Sequence, residues 1–300
     1  MRLLTSIILL CIWSSAQAQV ASIPAPSPTV GFRDAAVGGE TIRYMCQGAG
    51  SPTVIVEQGG GISLETVFSW KRAVGWAALA PKIAAATRIC VYDRVGLGRS
   101  SKAERARTSF DIAAELHALL AQEKIAAPYV LAGQSLGGMN ALAFATQYRA
   151  EVVGLLLVDS SHPQQLARTN AVLPARGDDE SDLMRAFREG PDRTGMGGEW
   201  FDFAKNSARF EGGMSIGTLP LVVLTRAPQS PDDKMPLPRD WQIAIESVHQ
   251  QLQRELAGVS MNSKHIVARK AGHNIQLDEP QLVLDAIMSL IEQSREGDKQ

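Results

Sequence analysis

The sequence predicts an α/β fold: a mostly parallel, doubly wound sheet of about eight strands. Three observations carry that prediction. Short runs rich in Val, Ile and Leu recur along the chain with the composition of strands buried on both faces. Amphipathic helical patterns lie between several of them, and strands alternating with helices build a right-handed parallel sheet. One stretch after the sixth strand, 160–218, breaks the rhythm with Gly, Asp, Arg and the aromatics Phe187, Trp200, Phe201, Phe203 and Phe210. A loop of that length in a compact domain has a function or helices of its own, so it reads as a cap inserted over a site.

The elements follow in chain order. Arg2, the apolar block Ile7 to Trp13 and Ala16-Gln17-Ala18 have the form of a cleaved signal peptide, 1–18, which implies export to the periplasm or beyond the cell. Pro24, Pro26 and Pro28 mark 19–30 as an extended linker. The folded domain is expected over 31–292, with a polar tail at 293–300. Gly38-Gly39 separates Phe32 to Val37 from Thr41 to Cys46 and supplies the positive φ angles of a hairpin turn. Parallel strands are then expected at Thr53 to Val56, Arg88 to Tyr92, Tyr129 to Ala132, Gly154 to Val158, Leu219 to Leu224 and His265 to Ala268. In Phe110 to Lys124, Ile112, Leu116, Leu119 and Leu120 share one face, and Thr108 with Asp111 forms a capping-box pattern. Pro280 suits the first turn of a last helix.

Composition narrows the function. A formal net charge of −1 offers no field for nucleic acid or an anionic membrane surface. No second apolar stretch is long enough to cross a bilayer, and no clustered Cys/His pattern would bind a metal. The expected partner is a small molecule, with no cofactor.

The chemistry is carried by Gly133-Gln134-Ser135-Leu136-Gly137, between the strand at Tyr129 and the helix that follows. A serine on a sharp strand-to-helix turn needs glycine neighbours for close backbone approach, and the first N–H groups of the helix face any oxyanion that forms there. Three further motifs accompany it: Gln58-Gly59-Gly60-Gly61 after the third strand, Asp93-Arg94-Val95-Gly96-Leu97-Gly98-Arg99-Ser100 after the fourth, and Ala271-Gly272-His273 after the last.

In this order the four motifs resemble those of the α/β-hydrolase superfamily, its serine esterase and lipase-like branch, from about Gly31 to Glu292. Gln58 replaces the usual His of the oxyanion loop. The resemblance implies Ser135 as nucleophile, His273 as base, and the N–H groups of Leu136 and Gly60 as oxyanion hole. Gln134 and His162 lie where they would contact substrate. Asp93, Arg94 and Ser100 are expected to tie their loop together, Glu57 to bind substrate or backbone, and His117, His249 and His265 to be surface or core residues. The family usually places the triad acid after the seventh strand, where this chain reads Thr225-Arg226-Ala227 with no carboxylate. Its other placement, after the sixth strand, selects Asp159, with Asp232 and Asp233 as the alternative. The family's strand order also sets Cys46 beside Cys90, which in an exported chain implies a disulfide, two free thiols being the alternative.

The implied reaction is hydrolysis of a carboxylic ester through an acyl-enzyme. The same triad serves lactonases, amidases or peptidases, and C–C bond hydrolases, and a non-catalytic ligand-binding protein could keep the fold.

Overall fold

The computed structural model describes residues 31–297 except 69–74, 178–179, 181, 191–195 and 236. The expected signal peptide and linker lie outside the described residues. The chain opens with the hairpin β1 (Arg33–Val37) and β2 (Glu40–Gln47), whose turn glycines Gly38 and Gly39 take φ +59° and +91°. Next come β3 (Thr53–Glu57), α1 (Leu64–Phe68), α2 (Trp76–Ala84), β4 (Ile89–Tyr92), α3 (Ser109–Gln122), β5 (Tyr129–Gln134), α4 (Leu136–Gln147) and β6 (Val152–Val158). Three helices fill the insertion before the next strand: α5 (Gln165–Val172), α6 (Asp182–Glu189) and α7 (Phe203–Arg209). The chain ends with β7 (Leu221–Arg226), α8 (Arg239–Ala257), β8 (Ser263–Ala268), α9 (Ile275–Asp278) and α10 (Pro280–Gly297).

Eight strands form one sheet in the order β1-β2-β4-β3-β5-β6-β7-β8. The β1–β2 and β2–β4 pairs are antiparallel, and all the others are parallel. Alternate residues of the central strands feed two apolar layers, because side chains switch face at every residue. Ile55, Leu131, Leu155, Leu157 and Val223 pack with α3, α4 and the end of α8. Val54, Val56, Val130, Leu156, Val222 and Leu224 pack with α2 and α10. Trp76 belongs to the second layer and is 3% exposed.

The capping box of α3 is complete: the Thr108 hydroxyl accepts from Asp111 N–H, and the Asp111 carboxylate accepts from Thr108 N–H. Cys46 and Cys90 stand opposite each other in the β2–β4 register and form a disulfide. All six strands from β3 to β8 run in one direction, so the loops after β3, β4, β5, β6, β7 and β8 converge on one edge of the sheet, where ligands bind in such folds.

Candidate active site

Ser135 joins β5 to α4 with φ 55° and ψ −124°, a conformation that a residue with a side chain holds only when its surroundings enforce it. The enforcement is steric. A Cβ on Gly133 would lie 2.4 Å from the Gly137 carbonyl oxygen, and one on Gly137 would lie 2.2 Å from that of Glu57. The end of β3, β5 and the start of α4 therefore meet backbone to backbone, which only glycine permits. Ser135 N–H donates to the Val158 carbonyl at 3.1 Å, and the Ser135 carbonyl accepts from Gly138 N–H at 3.0 Å and Ser161 N–H at 2.9 Å. Leu136 is the first residue of α4, so its N–H is one of the first-turn donors without a partner inside the helix.

Asp159 follows β6, is 1% exposed and has φ 40°. Its Oδ2 lies 2.7 Å from His273 Nδ1 and 3.4 Å from Arg226 Nε; its Oδ1 lies 3.0 Å from His249 Nε2 and accepts from Arg226 N–H at 3.1 Å. Burial by itself would raise this carboxyl's pKa. The hydrogen bonds and charges of His249 and His273 outweigh it and hold Asp159 well below the usual carboxylate range. An ionised carboxylate only accepts, so the proton on His273 is at Nδ1 and its Nε2 is left as an acceptor. The Arg226 guanidinium is closed on its other side by Glu246, at 2.7 Å to each oxygen.

The loop Gln58–Gly61 lies beside this turn. A Cβ on Gly59 would be 3.7 Å from Ser135 Cβ, and one on Gly60 would be 3.4 Å from Leu136 Cδ2. Gln134 is buried, and its Nε2 donates to the His273 carbonyl at 3.3 Å, joining the turn to the loop after β8. His162 is also buried; its Nδ1 accepts from Gln164 N–H at 3.0 Å and its Nε2 is 3.9 Å from Glu255.

The remaining residues singled out in the sequence have other partners. Glu57 accepts from the Tyr92 hydroxyl and from Arg94, so both of its contacts are with side chains of the chain itself. Asp93 Oδ1 caps the Leu64 N–H at 2.6 Å, and the Ser100 hydroxyl donates back to the Asp93 carbonyl at 2.7 Å. Asp232 accepts from Lys234 N–H, and Asp233, 83% exposed, pairs with Arg239; His273 bonds to neither. His117 pairs with Glu151 and stacks on Tyr148, and His265 bonds to Thr225.

His249 is the residue the sequence reading passed over. It was expected to be a surface or core residue, but α8 presents Glu246, His249, Gln250 and Gln253 at i, i+3, i+4 and i+7 to the ends of β6 and β7. That polar stripe, on a helix with an otherwise apolar inner face, is the signal that could have found it. Among the described residues no group of three or more His, Cys, Asp or Glu could hold a metal ion, and no helix is long and apolar enough to cross a membrane.

The architecture has relatives. YqjL of Bacillus subtilis, described only as uncharacterized, is 25% identical over 245 residues, which cover 80% of this chain and 84% of that protein. The 2-hydroxy-6-oxo-6-(2'-aminophenyl)hexa-2,4-dienoic acid hydrolase of Metapseudomonas resinovorans is 25% identical over 124 residues, 41% of this chain and 40% of the enzyme. Among solved structures, a thermophilic esterase from Thermogutta terrifontis superposes with a TM-score of 0.56 at 17% identity, over 87% of this chain and 98% of the esterase. Alpha/beta hydrolase domain-containing protein 10 from mouse gives a TM-score of 0.59 at 17% identity, over 88% and 99% of the two chains. At such identities the superpositions speak to the fold, and the match over residues 28–286 speaks to the family: this chain belongs to the alpha/beta hydrolase family.

Proposed function

We propose that the protein is an exported serine hydrolase that cleaves a small-molecule carboxylic ester through an acyl-enzyme. The observation that carries this reading is the elbow geometry of Ser135, φ 55° between two glycines that admit no Cβ, in a site where Asp159 holds His273 Nδ1 at 2.7 Å. His273 Nε2 takes the proton from Ser135 Oγ as Oγ attacks the ester carbonyl carbon. The carbonyl oxygen becomes an oxyanion and takes hydrogen bonds from Leu136 N–H and Gly60 N–H. The tetrahedral centre collapses, the C–O bond to the alcohol breaks, and His273 returns the proton to the leaving alkoxide. A water then gives a proton to His273 and attacks the acyl carbon; the bond to Ser135 Oγ breaks, Oγ recovers the proton, and the acid leaves. Gln134 and His162 border the substrate, and the helices between β6 and β7 form its cap.

Hydrolysis of short- and long-chain p-nitrophenyl esters by wild type and Ser135→Ala tests this reading. Wild type turns over at least one of them, and the substitution lowers kcat at least about 10³-fold. Full activity in Ser135→Ala would overturn it. Lactone and anilide substrates in the same assay separate ester cleavage from its relatives. The Cys46–Cys90 disulfide is compatible with export. Intact mass should find the mature chain starting at Gln19 in an envelope or extracellular fraction, and Met1 retained on cytosolic protein would exclude that.

A further inference from the structure

A buried charge network grips the loop Gln58–Gly61 from behind. Arg94, 1% exposed, donates from Nη1 to the Gln58 carbonyl at 2.7 Å and from Nη2 to the Gly59 carbonyl at 2.8 Å. Its Nε and Nη2 bind Glu199 at 2.7 and 3.0 Å, and Nη1 reaches Glu57 at 3.1 Å. Glu199 Oε2 closes the circuit by accepting from Gly61 N–H at 2.9 Å. Burial works against the charge on Arg94, but the two carboxylates outweigh it and push its pKa up.

Glu199 comes from the insertion between β6 and β7, which touches the loop through its backbone. A Cβ on Gly197 would lie 2.8 Å from the Gly61 carbonyl oxygen, and one on Gly96 would lie 2.7 Å from that of Gly198. The strap Met196–Glu199 is therefore wedged between the loop after β3 and the loop after β4.

The consequence follows from peptide geometry. The Gly59 carbonyl and the Gly60 N–H belong to one peptide unit, which is trans, so they point in opposite directions. Side chains do not restrain the rotation of a unit between two glycines, and its orientation is left to its hydrogen bonds. The Gly59 carbonyl also accepts from Ile62 N–H, but at 3.4 Å, so the 2.8 Å bond from Arg94 is the stronger hold. Fixing that carbonyl on Arg94 aims the Gly60 N–H away from Arg94.

We propose that Arg94 and Glu199 are positioning residues that hold the Gly59–Gly60 peptide in its oxyanion-binding orientation, so that seating of the Met196–Glu199 strap sets the competence of the site. This rests on the reading of Ser135 and Gly60 given above. Glu57 balances part of the Arg94 charge, and Glu199, arriving from the insertion, is what makes competence depend on the strap.

The test compares wild type, Glu199→Gln and Gly197→Ala in three assays: p-nitrophenyl ester hydrolysis, inhibition by an alkyl trifluoromethyl ketone that adds Ser135 Oγ to form a tetrahedral oxyanion, and inhibition by the matching methyl ketone. Glu199→Gln removes the charge, whereas Gly197→Ala keeps every charge and displaces the strap, so the second serves if the first does not fold. Each is expected to lower kcat about 10- to 100-fold with KM within about twofold, and to weaken trifluoromethyl ketone binding by the same factor while methyl ketone binding holds. A role in folding alone would lower the melting temperature without that split. Folded variants with unchanged kcat and ketone affinity, or with equal losses for both ketones, overturn the proposal. A wild type that neither turns over an ester nor binds the trifluoromethyl ketone overturns the reading of Ser135, and the proposal with it.

Discussion

The ends of β6 and β7 lie side by side in one parallel register and carry opposite charges. Val158 pairs with Leu224, and Asp159 N–H continues the ladder to the Leu224 carbonyl at 2.7 Å. β6 then turns away through Asp159, whereas β7 runs on to Arg226, which donates its N–H back to the Asp159 carboxylate. Where the family usually carries its acid after the seventh strand, this chain carries a cation, neutralised by Glu246 on α8. The difference teaches that a carboxylate from β6 reaches His273 Nδ1, at 2.7 Å, where β7 presents a cation. It also leaves β7 to flank its neighbour's carboxylate, with the Arg226 N–H on Oδ1 and the Arg226 Nε near Oδ2.

The comparison breaks most sharply at Asp159. Asp159→Asn presents an amide to His273 Nδ1 and allows the wrong tautomer, which in the triad template lowers kcat by about 10⁴. Circular dichroism should show an intact fold, and Asp232→Asn and Asp233→Asn should stay within about twofold of wild type. An active Asp159→Asn with either later substitution dead would move the acid back to the β7 side.

Arg226→Met tests the other strand end. Its side chain is 9% exposed and that of Glu246 14%, so removing the cation strands a largely buried carboxylate, at a cost on the order of 3 kcal/mol in urea unfolding. Adding Glu246→Gln should recover much of that loss. A single variant as stable as wild type would mean that the β7 cation is not needed to balance the carboxylates around it.

The contrast between the two strand ends also explains what could be read in advance. Asp159 was legible as a candidate because the chain has no carboxylate directly after β7 and one directly after β6, the other place where the family carries its acid. The strand order and the Cys46–Cys90 pairing were legible because runs such as Leu155–Val158 can only be buried on both faces, and because the four motifs stand in a recognisable order. Two strand ends differ from the apolar pattern: β7 runs to Arg226, two residues beyond its apolar run, and β8 starts at Ser263 with exposed residues that hydrophobicity does not mark. Glu199 was not legible: its partner Arg94 is 105 residues away, and nothing local distinguishes it from a solvated acid. His249 was hidden for a similar reason, since its partner lies on another element.

His249 sharpens the comparison by a smaller step. Replacing it with Leu leaves Asp159 Oδ1 with the Arg226 N–H alone, and the loss of one hydrogen bond to a charged group should lower kcat about tenfold with KM unchanged. His249→Gln, whose amide can donate in place of Nε2, should recover most of that rate. If Leu and Gln behave alike and both match wild type, then α8 contributes packing only and the acid is held by β7 and His273.

The last effect concerns His162, three residues past Asp159 on the β6 side, and appears in stability rather than rate. Burial disfavours its charged form and holds its pKa down to about 4, although Glu255 pulls the other way. Above about pH 6.5 the imidazole is neutral in both folded and unfolded chains and adds nothing to the pH dependence. Between about 6.5 and 4 the unfolded chain binds a proton that the folded chain refuses, so stability falls as pH falls, by at most on the order of 3 kcal/mol. Asp159 also loses stability toward acid, but its folded pKa lies below the unfolded value near 3.9, so its window opens only under the one that His162 uses. His265, also held down by burial, contributes in the same direction and is present in both proteins compared. Urea unfolding of wild type and His162→Gln at pH 7.5 and 4.5 should therefore show the variant gaining on wild type as the solution is acidified. Parallel losses in the two proteins would show that His162 takes up its proton in the folded chain as readily as in the unfolded one.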